Sequence, residues 1–205
     1  MISERTASRW RFCVPGIGAP TPLRSWLREP DSLTARLQRS GEFRLKLLAQ
    51  RLLGANRDEE AALGLAPRAR CWVREVLLHC DGRPVVFAHT VLPAEPRGVL
   101  GRWFDGLGGR SLGSLLFAHP GFRRGPLAFA RIDRRHPLYA RAAAALGVSP
   151  ACFHARRCTH GFGPQKILVT EIFCADIGQD SRCDGRAGAS AGNRGSMSPL
   201  GMRRS

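Results

Sequence analysis

A mixed domain of short helices and antiparallel strand pairs is what the sequence predicts. Three observations carry it. An Asp-Gly pair sits between two alternating apolar runs at residues 70–93. A second strand pair closes the apolar part of the chain at residues 153–174. Short segments with an apolar face at helical spacing lie before and between them.

The elements follow in chain order. Pro15 to Pro22 is rich in Gly and Pro and reads as a turn region. Asp31-Ser32 offers an N-cap to a helix over Leu33–Gln38, which Gly41 can end. Phe43-Arg44-Leu45-Lys46-Leu47 alternates as a strand does, and Asn56 to Ala62 reads as loop or short helix. Arg70 to Pro93 is the clearest unit. Asp81-Gly82 favours a type I′ hairpin turn, so Cys80 pairs with Arg83. Counting back, Leu78 should face Val85, Val76 should face Phe87, and Arg74 should face His89 on one side of the sheet. Gly98 to Ala118 reads as two helical pieces broken at Gly106–Gly109. Pro126 to Asp133 alternates as a strand, and Pro137 to Leu146 is Ala-rich and helical. Phe153–Thr159 and Lys166–Cys174 form the closing strand pair. From Gly178 to Ser205 bulky apolar residues almost vanish. That stretch cannot bury enough surface to offset its chain entropy, so the division is a domain at 1–177 and a disordered tail at 178–205.

Two strands carry a charge on an apolar face. Side chains alternate along a strand, so Arg74 lies with Trp72, Val76 and Leu78. By the same count Glu171 lies with Ile167, Val169 and Phe173. A buried charge is costly unless something meets it. An arginine awaits a carboxylate; a carboxylate awaits a donor, a cation or a proton. Together they point to a closed pocket for a small anion.

Composition narrows the function classes. The chain has 205 residues, 43% of them hydrophobic, enough for one domain with a real core. No apolar run reaches membrane-spanning length, and the start lacks a signal-peptide pattern. The expectation is a cytoplasmic protein without membrane insertion. Seven cysteines at irregular spacing argue for free thiols over a disulfide framework. The net charge of +16 comes from scattered single and paired arginines, with no nucleic-acid-binding motif, so nucleic acid is not the expected partner. A basic field also draws in small anions. Cys152, His154, Cys158 and His160 do not have a zinc-site spacing, and on one strand they spread too far for one tetrahedron. Gly106-Leu107-Gly108-Gly109 lacks the Gly-Lys-Ser/Thr and preceding strand of a phosphate loop.

The ordered motifs resemble those of the chorismate lyase family. Trp72 to Leu78, Asp81-Gly82-x-Pro84 and Ala88-His89-Thr90-Val91-Leu92-Pro93 resemble its hairpin. Arg9 to Cys13, Asp31-Ser32-Leu33-Thr34, Ser111-Leu112-Gly113 with Leu116-Phe117, the pair Arg156-Arg157, and Leu168 to Phe173 match in order over residues 9–175. The resemblance implies an α+β fold, a single antiparallel sheet of about six strands with helical flaps over a buried ligand pocket. It implies a monomeric enzyme without cofactor or metal that converts chorismate to 4-hydroxybenzoate and pyruvate, toward the ubiquinone head group. By the same resemblance Arg74 pairs with a substrate carboxylate. Glu171 meets the 4-hydroxyl end or assists proton transfer, and Leu33 and Leu112 hold the ligand. Leu33 replaces a methionine, a volume-conserving change. His89 stands where the family has arginine, a partner for the second carboxylate. That carboxylate then falls to His89, or to Arg156 or Arg157. The alternative function on the same fold is a non-catalytic, effector-sensing domain that binds a small anion.

Overall fold

The computed structural model describes residues 10–14, 17–94, 106–108, 110–113, 116 and 119–177. Within them the chain forms α1 (Thr21–Leu27), α2 (Leu33–Ser40), β1 (Phe43–Gly54), α3 (Arg57–Leu63), β2 (Arg70–Cys80) and β3 (Arg83–Pro93). Then follow β4 (Arg123–Arg124), β5 (Ala128–Asp133), α4 (Tyr139–Leu146), β6 (Cys152–Phe162) and β7 (Gln165–Phe173). The fold is α+β, with one open antiparallel sheet in the order β1-β2-β3-β7-β6-β4, and β5 also pairs with β6. The seven strands agree with the expected sheet of about six; the one not foreseen, β4, is only two residues long and shares one side of β6 with β5.

Several local signals act as the sequence suggests. Ser32 caps α2, its side chain accepting from Ala35 N at 3.3 Å. Asn56 and Glu59 form a capping box that starts α3, in the segment read as loop or short helix. Asp81 and Gly82 both take positive φ, 50° and 75°, as a type I′ turn requires. Asp81 also accepts from Glu42 N at 2.9 Å. Gly41 ends α2 at this contact. A Cβ there would lie 2.6 Å from the Asp81 carboxylate, so any larger residue would have to push that side chain aside. Within the expected turn region, Pro20 caps α1 and Pro22 sits in its first turn, where a missing N–H costs nothing.

Both sheet faces are covered. On one face Val76, Leu78, Val86, Ala88 and Phe173 pack on Leu23, Trp26, Leu27, Leu33 and Leu37 of α1 and α2. On the other, Leu77, Phe87, Ala155 and Ile172 pack on Tyr139, Ala142 and Leu146 of α4, with Leu138 just before it. Val73, Val91 and Leu168 meet Leu63 of α3. The six cysteines among the described residues are free thiols. No helix among these residues is long and apolar enough to cross a membrane. Of the two helical pieces expected at 98–118, Val99, Leu100, Trp103, Phe104, Gly109, Leu115 and Phe117 lie outside the described residues. So does the segment 178–205.

The hairpin register departs from the expected one. Cys80 pairs with Arg83 and His79 with Pro84, but Leu78 then pairs with Val86, leaving Val85 as an extra residue on β3. Pro84 has no N–H to give the ladder. The Val85 carbonyl turns instead to Cys174 N, at 2.9 Å. Beyond this bulge every β3 residue slides by one, and a slip of one exchanges the faces. Arg74 therefore pairs with Thr90, and His89 pairs with Glu75 on the opposite face.

Candidate active site

The register builds the floor of a pocket on the α1/α2 face. One line across the sheet runs Gln50, Arg74, Thr90, Val169, Cys158. The next runs Val76, Ala88, Glu171, Arg156. On the other side of the first line, His160 pairs with Ile167 and with Arg124 of β4. Residues paired directly across strands point to the same side, so these lines put their polar groups over one surface. Ser32, Leu33 and Thr34 from the start of α2, with Ser111, Leu112, Gly113 and Leu116, close the cavity from above. Thr34 Oγ1 and Ser111 Oγ share a hydrogen bond of 2.8 Å, joining the two halves of the cover.

Arg74 is 2% exposed, and its partners are neutral. Its Nη1 donates to Gln50 Oε1 at 2.9 Å and its Nη2 to the Arg110 carbonyl at 3.0 Å. No carboxylate among the described residues meets it, and burial works against its charge. Such a guanidinium is prepared for an anion from outside the protein.

Glu171 is served by a different arginine. Arg156, 1% exposed, donates from Nε to Glu171 Oε2 at 2.5 Å. Its Nη1 donates to the Trp26 and Glu29 carbonyls at 3.3 and 2.8 Å. Arg156 thus fastens the end of α1 to the sheet and fixes the carboxylate that faces the cavity. Arg124 donates to the Pro30 carbonyl from the cavity edge. His160 lies beside it. Burial and the Arg124 charge push this imidazole down to about 4, so it is neutral near pH 7. Its Nε2 lies 3.2 Å from Cys158 Sγ. Burial raises the Cys158 thiol, so that contact stays uncharged.

Four sequence-predicted residues, Leu33, Arg74, Leu112 and Glu171, line this cavity together. His89 does not. It is 2% exposed on the other face, where Nδ1 lies 3.0 Å from Glu75 Oε1 and Nε2 lies 2.9 Å from Glu59 Oε1. Arg141 completes this cluster with a 2.9 Å bond to Glu75. Arg157 also leaves the site, because it neighbours Arg156 on a strand and so faces the other way. It pairs with Asp58 at 2.8 Å and stacks over Trp10. Arg156, expected as an alternative holder of the second carboxylate, lines the pocket but is bound to Glu171; Arg124 and His160 were not expected there, and only the pairing of β4 with β6 brings them in.

The architecture is that of a small α+β domain with one sheet face closed over a cationic, anion-sized pocket. A family model described as chorismate lyase matches residues 16–180. A probable chorismate pyruvate-lyase of Dechloromonas aromatica (strain RCB) is 55% identical over 171 residues, covering 83% of this chain and 96% of that protein. Another, of Aromatoleum aromaticum, is 45% identical, covering 82% and 92%. Among solved structures, the C-terminal domain of the histidine utilization repressor from Pseudomonas syringae pv. tomato is similar at TM-score 0.49 and 14% identity. That match covers 74% of this chain and 99% of the other. The chain belongs to the chorismate lyase family.

Proposed function

We propose that the protein is a chorismate lyase that releases pyruvate from chorismate and forms 4-hydroxybenzoate, for the ubiquinone head group. The observation that carries this reading is Arg74, a buried cation whose partners among the described residues are neutral, set across the floor from Glu171. Their strands, β2 and β7, are two apart, about 10 Å at the backbone. An aromatic acid can lie between them, with its carboxylate on Arg74 and its para position toward Glu171.

The reaction cleaves the C3–O ether bond and removes the C4 proton. The ring becomes aromatic, and the departing enolpyruvate gains a proton at its methylene carbon to become pyruvate. Aromatisation supplies the driving force, so the protein needs only to position the substrate, place charge and handle protons. Arg74 holds the ring carboxylate. Glu171, fixed by Arg156, faces the C4 end, where it orients the hydroxyl or takes the proton. Leu33, Leu112 and Leu116 exclude water above the ring. On this reading the enzyme works in the cytoplasm as a monomer without metal or cofactor.

Purified protein mixed with chorismate, without added metal or cofactor, should release 4-hydroxybenzoate and pyruvate in equal amounts. Chromatography and a coupled pyruvate assay read the two products. Binding of 4-hydroxybenzoate with no turnover would overturn the lyase reading. We further propose that the working unit ends near residue 177. Deleting residues 181–205, beyond the family match, is expected to leave kcat and KM within about twofold of the full chain. A large loss of turnover would place the tail in the site.

A further inference from the structure

The bulge that turns His89 away from the cavity brings Thr90 into it. Past Val85 the slipped register sets Thr90 directly opposite Arg74, on the same side of the sheet. Thr90 is 5% exposed and lines the cavity floor. Four hydroxyl side chains line this cavity among the described residues: Ser32, Thr34, Thr90 and Ser111. Thr34 and Ser111 bond one another, and Ser32 accepts from Ala35 N. The Thr90 hydroxyl alone of the four has no hydrogen bond to a described residue. A buried hydroxyl without a partner costs stability. One that opens onto a cavity beside a buried cation is suited to a ligand that meets both.

We propose that the Thr90 hydroxyl binds the ring carboxylate of the substrate together with Arg74. This deepens the chorismate lyase reading and rests on it. The acceptor count supports it. A carboxylate offers about four lone-pair positions. Arg74 can fill two of them with a bidentate contact, beyond its bonds to Gln50 and the Arg110 carbonyl. Leu33, Leu112 and Leu116 cover the cavity, so the remaining positions need donors from the protein. Directly paired residues have Cβ atoms about 5 Å apart, so a carboxylate between the two side chains can accept from both. The line of the ring follows. Thr90 is two residues from Ala88, which pairs with Glu171, so Thr90 and Glu171 are diagonal neighbours about 7–8 Å apart. A para-substituted ring fills that span, with its carboxylate on Arg74 and Thr90 and its para carbon toward Glu171. A second donor, on a second strand, fixes the tilt of the carboxylate and with it the axis of the ring.

Calorimetry on the full chain tests it with benzoate and 4-hydroxybenzoate, which share the carboxylate and differ at the para position. Thr90→Val removes the hydroxyl, keeps the branched shape and suits a strand. It should weaken both acids by the same factor, about tenfold to thirtyfold, as a hydrogen bond to a charged group is lost. Thr90→Ser should restore most of the affinity. The contact is the same before and after the ether bond breaks, so KM for chorismate should rise by a like factor, with kcat held within about twofold. The melting temperature of unliganded Thr90→Val should not fall, because the hydroxyl bonds no described residue. Loss for 4-hydroxybenzoate alone would put Thr90 at the para end and overturn the proposal, as would unchanged affinity for both acids. A melting temperature lowered by several degrees, with no rescue by Thr90→Ser, would make the residue structural and overturn it too. If both acids bind and respond to the variants as expected but chorismate is not turned over, the lyase reading fails while the carboxylate contact stands.

Discussion

Arg74→Met is expected to weaken 4-hydroxybenzoate binding by about thirtyfold or more, because a desolvated carboxylate loses its charged partner. Calorimetry measures this directly. The same variant separates a ligand-binding role from a structural one through its unliganded stability. Arg74 is buried against two neutral acceptors, so its desolvation is offset only in part. Methionine fills similar space and removes the buried charge. The free protein should therefore melt at the same temperature or higher, although Gln50 Oε1 and the Arg110 carbonyl each lose a donor. Loss of binding together with unchanged or raised thermal stability marks a residue retained for its ligand. A fall in melting temperature of several degrees with binding intact would make Arg74 a structural cation and remove the anchor of the proposed site.

How much of this was legible depends on the range of each signal. Arg74 and Glu171 were found because a strand sorts its side chains by parity, and a charge among apolar neighbours stands out locally. Both lie on the predicted face, with Val76 and Val169 beside them. The partners of each were not legible. The choice of Arg156 over Arg74 for Glu171 depends on β6 pairing with β7, a contact between segments 15 residues apart. Arg124 lies on a strand of two residues, too short to leave a periodic pattern. The helix α1 was hidden in a Pro-rich stretch, yet its prolines stand at the cap and first turn, where they start a helix. The hairpin gave its turn correctly and its register wrongly. Parity counting assumes an unbroken ladder, and Pro84, three residues after Asp81, was the one local sign that the ladder is broken.

That single bulge moves His89 from the ligand to the framework, and this has a large measurable consequence. His89 bridges Glu59 of α3 and Glu75 of β2 at 2.9 and 3.0 Å, fully buried. Burial alone would lower its proton affinity. The hydrogen bonds and charges of the two carboxylates outweigh that and raise it above the ordinary 6.5. Glu75 is held below its ordinary 4.5 against the opposing effect of burial, by His89 and Arg141. The raised imidazole contributes stability that is complete below about pH 6.5 and is lost as pH climbs through its folded value. The lowered carboxylate contributes stability that is complete above about pH 4.5 and is lost as pH falls through its folded value. Between these limits both contributions hold, and there His89→Leu should cost about 3–5 kcal/mol, because two buried carboxylates are left without their shared cation. Denaturant unfolding at pH 5.5 measures the loss, and melting curves from pH 6 to 9 should show the wild type approaching the variant as the imidazole deprotonates. Binding of 4-hydroxybenzoate should stay within about twofold at any pH where the variant is folded, since the cluster lies on the far side of the sheet. A variant that keeps its stability and loses the ligand would return His89 to the pocket and refute the observed register.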